Sequence, residues 1–177
     1  DSVNRLRSKN IINGINENGL LYFRPEQNVT RIQLAVMLCN VLGVNPEDYA
    51  ENNMIFEDSD FDEWMKNYAK AAYECGFTKG RESGGKVYFD PKAYITRAEA
   101  MTMLFRISDM GTANTEKRFA DDDKIPDWAK DAVYTLLANG IINGYGDNTI
   151  NPGGEIKRSE AAAMLDRYTS NNYTVGE

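Results

Sequence analysis

Val29-Thr30-Arg31-Ile32-Gln33 recurs as Ile95-Thr96-Arg97-Ala98-Glu99 and again as Ile156-Lys157-Arg158-Ser159-Glu160. Each block lies at one fixed distance from a proline: Pro25 to Thr30, Pro91 to Thr96 and Pro152 to Lys157 are all five residues. Each block opens an apolar run with the three/four spacing of an amphipathic helix, ending near Leu42, Ile107 or Tyr168. The arginines are 66 residues apart (Arg31 to Arg97) and then 61 (Arg97 to Arg158). Such a period marks a repeat array, in which no single unit can bury its own apolar face.

The similarity extends outward from the block. Phe56-Glu57-Asp58 and Phe119-Ala120-Asp121 open the second and third copies, and Trp64 and Trp128 follow. Each tryptophan stands sixteen residues before a glycine, Gly80 or Gly144, and Gly14 is the equivalent residue of the first copy. Glycine to proline is eleven residues in copies one and two and eight in copy three, so one loop accounts for much of the uneven spacing. The copies are expected over residues 1–45, 56–111 and 119–172, together forming one structural unit. In the first, the counterpart of Trp64 would fall at position −2, so upstream residues are expected to supply the start of its first helix.

A chain of 177 residues, 42% hydrophobic, is long enough for one domain with a substantial core. Its net charge of −7 argues against nucleic acid, whose phosphates require a basic face. It has no histidine, which removes Ser-His-Asp and His-assisted cysteine catalysis and most zinc sites. Cys39 and Cys75 lie in apolar helical patterns and read as small buried thiols rather than a disulfide. No apolar run reaches the length needed to span a bilayer, and no signal peptide is visible. Acidic residues are plentiful but form no glycosidase motif. Asp58-x-Asp60-x-Asp62 starts like a calcium loop but has Glu63 where glycine is required. No catalytic, metal or cofactor site is expected.

Each copy reads as helix, loop, helix. Val133, Leu136, Leu137 and Ile141 mark the first helix of copy three; Ala69, Ala72 and Phe77 mark that of copy two, and Val3, Leu6 and Ile11 that of copy one. A glycine-rich loop follows, with Tyr22-Phe23 or Tyr88-Phe89 as a short extended piece after it. The second helix opens with a capping box, Thr96 to Glu99, or Thr30 to Gln33. Lys157 stands at the cap position of copy three, where it cannot cap and its charge opposes the helix dipole. Either it binds an anion, or Glu160 and tertiary packing compensate. The adjacent arginine sits where free amides and the dipole already favour anions, so it needs a negative partner. That partner is internal, such as Glu99, Glu160, Asp58 or Asp121, or it is the carboxylate or phosphate of a ligand. Asp58 and Asp121 are otherwise expected to cap the preceding turn.

The ordered pattern Phe-x-Asp, Trp, Gly-Ile-Ile-x-Gly-Tyr-x-Asp, Pro, Ile-Thr-Arg-Ala-Glu resembles the S-layer homology (SLH) domain, a family usually arranged as three tandem copies. The resemblance covers roughly residues 1–170. It implies an all-α, mainly helical fold: three helix-loop-helix repeats forming one pseudo-threefold, three-pronged bundle, with ligand grooves between neighbouring prongs. It implies a non-catalytic, secreted module that anchors an exported protein to the bacterial cell wall or S-layer, with a covalent cargo domain upstream or downstream. The implied partner is a secondary cell-wall polysaccharide, often bearing pyruvate ketals on N-acetylmannosamine, or another peptidoglycan-linked polymer. Neither nucleic acid binding nor membrane insertion is implied.

Carried onto this sequence, ligand binding falls on Arg31, Arg97 and Arg158, on Gly14, Gly80 and Gly144, and on Trp64 and Trp128, with Lys157 a further candidate. The tryptophans fit equally well as core anchors of the first helix. Copies one and two lack the Gly-Tyr-x-Asp loop, and copy three has Asn148 and Lys157 where the family often has glycine and threonine, so the grooves need not be equivalent. A protein–protein or self-assembly module of a surface layer is the alternative on the same fold. A broad apolar patch would favour it; narrow polar grooves with arginine at the base would favour sugar.

Overall fold

A computed structural model describes residues 2–58, 60–113 and 115–171, so positions 1 and 172, the outer limits expected for the first and third copies, lie outside it. The fold is mainly helical. Among the described residues there are six α-helices: α1 (Ser2–Ser8), α2 (Arg31–Leu42), α3 (Glu63–Glu74), α4 (Arg97–Arg106), α5 (Asp127–Ala138) and α6 (Arg158–Ser170). None is long and apolar enough to cross a membrane.

The loops of copies one and two contain more order than a short extended piece. Each is a hairpin, β1 (Ile15–Glu17) with β2 (Leu20–Tyr22) and β3 (Arg81–Ser83) with β4 (Lys86–Tyr88). Their two-residue turns are Asn18-Gly19 and Gly84-Gly85, all four at positive φ, the conformation that lets a tight turn follow the strand twist.

Helix starts follow the local chemistry. The Gln33 amide donates to Thr30 Oγ1 at 3.4 Å and the Thr30 amide to Gln33 Oε1 at 3.1 Å. The Thr96–Glu99 box closes the same way, at 3.2 and 3.0 Å. In copy three only half the box forms, with the Lys157 amide donating to Glu160 Oε2 at 2.9 Å.

The copies interlock head to tail. The second helix of each packs on the first helix of the next: α2 on α3, α4 on α5, and α6 back on α1. The backbone closes the same cycle. Val29 N–H donates to the Ile156 carbonyl at 2.9 Å, Ile95 to Val29 at 3.0 Å, and Ile156 to Ile95 at 3.1 Å. All three side chains are buried, alongside Leu34, Leu104, Leu136 and Tyr168. The prolines matter for the same reason. Ile32 N–H donates to the Pro91 carbonyl, Ala98 to Pro152 and Ser159 to Pro25, each at 3.0 Å. Each proline turn thus satisfies the first amides of another copy's second helix, amides that have no partner within the helix itself.

Candidate functional site

The recurring arginines are buried at the junctions between copies. Each Nε donates to a carbonyl two residues before a proline: Arg31 to Phe89 at 2.6 Å, Arg97 to Ile150 at 2.7 Å and Arg158 to Phe23 at 2.8 Å. Two of those segments are themselves held by an aspartate. Asp58 accepts the amides of Phe89 and Asp90 at 2.7 and 2.6 Å, and Asp121 accepts those of Ile150 and Asn151 at 2.9 and 2.8 Å. The aspartates therefore tie the start of a repeat to the strand or loop that positions an arginine, rather than capping the turn before them. Each guanidinium also lies against an aromatic ring: Arg31 on Phe89 at 5.7 Å, Arg97 on Tyr145 at 4.6 Å and Arg158 on Phe23 at 5.2 Å.

Two of the three arginines find internal carboxylates, in the next copy. Arg31 pairs with Glu99 at 2.9 Å and Arg97 with Glu160 at 3.0 Å. Glu99 is fully engaged: Arg81 grips it through Nε and Nη2, both at 2.8 Å, and Thr96 donates its amide and hydroxyl. Burial pushes the Glu99 carboxyl up, but the Arg81 and Thr96 hydrogen bonds and the Arg31 charge outweigh it and hold it below the usual range. In copy three Tyr145 takes the place of Arg81. Its hydroxyl donates to Glu160 at 2.5 Å, and burial first, then that bond, pushes its pKa up to about 12.

Arg158 is different, because the equivalent residue of copy one is Gln33. It is 4% exposed, donates only to the carbonyls of Phe23 and Asn13 (3.0 Å), and has no carboxylate within ion-pair distance among the described residues. Burial lowers its pKa with no opposing charge.

The helix starts are not open anion sites. The Arg31, Arg97 and Arg158 amides donate to the carbonyls of Ala93, Gly154 and Gln27 at 2.9, 2.8 and 2.9 Å. With the second amide bound to a proline carbonyl, neither of the first two helical amides is left open to an anion.

Two cavities lie at these junctions, and a third lies in copy one beside the Arg158 junction. The largest, about 590 Å³, draws on all three copies: Arg31, Gly80 with Arg81, Glu99 with Arg106, and Trp128. The second, about 240 Å³, joins Arg97 to Gly144, Tyr145, Glu160 and Arg167. The third, about 200 Å³, is lined by Gly14, Arg7, Asn13 and Phe23, the last two being the residues that hold Arg158. Arg31 and Arg97 therefore share a cavity with the glycine of the following copy, whereas Arg158 lies behind the third cavity and does not line it. Two of the three glycines are also sterically obligatory. At Gly80 (φ +78°) a Cβ would lie 2.8 Å from the Tyr88 carbonyl, and at Gly144 (φ +74°) 2.7 Å from that of Thr149.

The tryptophans are not core anchors. Trp64 is 46% and Trp128 56% exposed. Trp128 lines the largest cavity; Trp64 instead meets Tyr68 edge-on at 6.1 Å. Lys157 lines none of the three cavities and pairs with Glu26 at 2.5 Å, so the compensating contacts, not a groove, account for it. Cys39 is buried and Cys75 half-buried, both free, and burial pushes the Cys39 thiol up to about 12.

Sequence reading missed Arg81, Arg106 and Arg167. The signals are there in retrospect: Arg81 follows Gly80 as Tyr145 follows Gly144, and Arg106 and Arg167 stand seven residues after Glu99 and Glu160, on the same helix face.

A model of the S-layer homology domain matches residues 1–35, 56–101 and 118–162. The Cellulosome-anchoring protein of Acetivibrio thermocellus is 32% identical over 149 residues, 82% of this chain and 33% of that protein. The Amylopullulanase of Thermoanaerobacterium thermosulfurigenes is 30% identical over 170 residues, 93% of this chain and 9% of that protein. The Surface-layer 125 kDa protein of Lysinibacillus sphaericus is 28% identical over 152 residues, 84% of this chain and 12% of that protein. This chain thus corresponds to a third or less of the length of each of these relatives. With three matches in tandem spanning most of its length, the chain belongs to the S-layer homology domain family.

Proposed function

We propose that the chain is a non-catalytic anchoring module that holds an exported protein on the bacterial cell envelope by binding an acidic secondary cell-wall polysaccharide. The three repeats act as one pseudo-threefold, three-pronged unit, a reading supported by the closed backbone cycle of Val29, Ile95 and Ile156. The ligand occupies the grooves where copies meet, and a pyruvate ketal suits them because it presents a fixed carboxylate to a guanidinium. Arg31, Arg97 and Arg158, the adjoining glycines and Trp128 are the proposed binding residues.

The observation that carries this is charge. The chain is acidic, with a net charge of −7, yet basic residues outnumber acidic ones in both junction cavities, and Arg7 is the one charged residue lining the third. That concentration runs against the overall composition, as recognition of an anion requires. Several grooves would also raise retention through effective concentration, which suits a weak ligand and a lasting anchor. The relatives' names agree: an anchoring protein and a surface-layer protein share this segment, while the amylopullulanase matches over only 9% of its length.

A self-assembly module remains the second reading, favoured by the exposed strip Leu20, Leu21 and Tyr22. Co-sedimentation separates the two. The chain is mixed with sacculi of Lysinibacillus sphaericus, either native, extracted with hydrofluoric acid to remove secondary polysaccharide, or enzymatically freed of pyruvate. Arg31→Ala, Arg97→Ala, Arg158→Ala and the exposed-site variant Trp128→Ala run alongside, each checked for folding by circular dichroism. Binding to native sacculi that is lost on extraction and weakened by these variants is expected. Binding that survives extraction, or ignores all four folded variants, overturns the glycan reading.

A further inference from the structure

The three cavities are not copies of one another, and the difference names a ligand. The Arg31 cavity has more than twice the volume of either other cavity and is lined by four basic residues, Arg31, Lys79, Arg81 and Arg106, against two acidic ones. Arg31 and Arg81 already share Glu99. The side chains of Lys79 and Arg106 have no hydrogen bond or ion pair among the described residues, and both residues are exposed. Glu82, the second acid, is exposed on the hairpin and equally unpaired, so the lining stays net positive.

Equivalent positions elsewhere do structural work. Asn40 donates to the Ile11 carbonyl at 3.2 Å and Arg167 to the Ile141 carbonyl at 3.3 Å, each holding the end of its copy's first helix. Arg106 occupies the same position on α4 without making that bond. Lys79 stands where the other copies have Asn13 and Asn143. Two cations without a side-chain partner among the described residues have therefore accumulated in one cavity, beside a half-exposed indole.

Building on the glycan-binding reading, we propose that the Arg31 cavity takes a doubly acidic segment of the polymer, with Lys79 and Arg106 as the residues that select its second acidic group. One carboxylate docks at Arg31, whose guanidinium keeps unused N–H groups beyond those given to Phe89 and Glu99. Trp128 covers a sugar face, and the second carboxylate, on a neighbouring residue, meets Lys79 and Arg106. A cavity of about 590 Å³ is in the range that encloses a small oligosaccharide.

Nitrogen-15 NMR titration tests this, because the Trp128 indole reports on this cavity and the Trp64 indole does not. One probe is the methyl glycoside of 4,6-pyruvylated N-acetylmannosamine, with one carboxylate. The other joins that sugar to glucuronic acid and carries two. Expected is ~10-fold tighter binding of the second probe at Trp128, the scale of one charge-assisted hydrogen bond. In Lys79→Gln/Arg106→Gln that preference should collapse while the one-carboxylate probe binds within about twofold of wild type. Equal affinity for both probes, or equal loss of both in the variant, overturns the selectivity and leaves the anchoring reading standing. Response to neither probe in any cavity overturns both.

Discussion

That no carboxylate among the described residues lies beside Arg158 makes a gain-of-stability prediction. Gln33→Glu places an acid where copies two and three carry Glu99 and Glu160. The change keeps the side chain's shape, and the glutamates of the other copies cap their helices just as Gln33 does. If the new pair adopts the 2.9–3.0 Å geometry of Arg31–Glu99 and Arg97–Glu160, the charge centres lie roughly 4 Å apart. At an effective dielectric constant of about 20 that attraction is ~4 kcal/mol. The arginine is already desolvated, so only the incoming carboxylate loses hydration, at a cost of a few kcal/mol. The net expectation is about 1–2 kcal/mol. For a chain of this size that raises Tm by roughly 2–8 °C. Reversible thermal unfolding followed by circular dichroism at pH 7 measures it. Pairing depresses the folded-state pKa of the new glutamate, so the gain is present above its unfolded value near 4.3 and is lost as pH falls through the folded one. The same substitution should weaken anion binding at this junction. A Tm that is unchanged or lower at pH 7, or a gain that persists at pH 2, refutes the view that Arg158 is a buried charge awaiting a partner.

Three further outcomes follow from the geometry. Asp166 on α6 accepts Arg5 Nε of α1 at 2.8 Å, and that bond holds its carboxyl down at about 2. Asp166→Asn should cost about 1–2 kcal/mol at pH 7, discounted because Arg5 is exposed, and by the same sign the gap to wild type should narrow as pH falls from about 4 toward 2 in urea titrations. Gly144→Ala should cost several kcal/mol, since its Cβ would lie 2.5 Å from Phe119, whereas Gly84→Ala, with φ +60° but nothing within 4 Å, should cost only about 1–2 kcal/mol. Trp128→Ala should change unfolding free energy by less than about 1 kcal/mol while reducing sedimentation with native sacculi, because its ring is largely outside the core.

The parts of this fold that were legible in the sequence are those fixed by local chemistry. Thr30 and Thr96 announce helix starts because a capping box needs only residues three apart, and both boxes form. Asn18-Gly19 and Gly84-Gly85 are equally local signals for two-residue hairpin turns, but the flanking runs Ile15–Glu17 and Lys86–Tyr88 lack the apolar alternation that marks a strand. What could not be read was the use of the proline spacing. The carbonyls of Pro91 and Pro152 satisfy helix amides 59 and 54 residues away in a neighbouring copy, and that of Pro25 does so across the closure from copy three to copy one. No periodicity within one repeat encodes that choice.

The same reasoning explains the uneven legibility of the site. Arginine at a helix start was visible as an unfavourable charge needing a partner, and its recurrence made it the candidate for the site. Its partner was invisible, because Arg31 pairs with Glu99 of the next copy and not with its own Gln33. Once that crossing is known, a substitution in one copy is felt in another's groove: Gln33 lies in copy one but leaves the arginine of copy three uncompensated. Likewise Arg81 in place of a tyrosine changes the groove built on Arg31 and not the one built on Arg97. Three similar repeats therefore generate three grooves of different charge and size without any change in the backbone cycle that holds them. Divergence of individual loop and helix positions can tune each groove separately, because the main-chain hydrogen bonds of the cycle do not depend on which side chains line a groove.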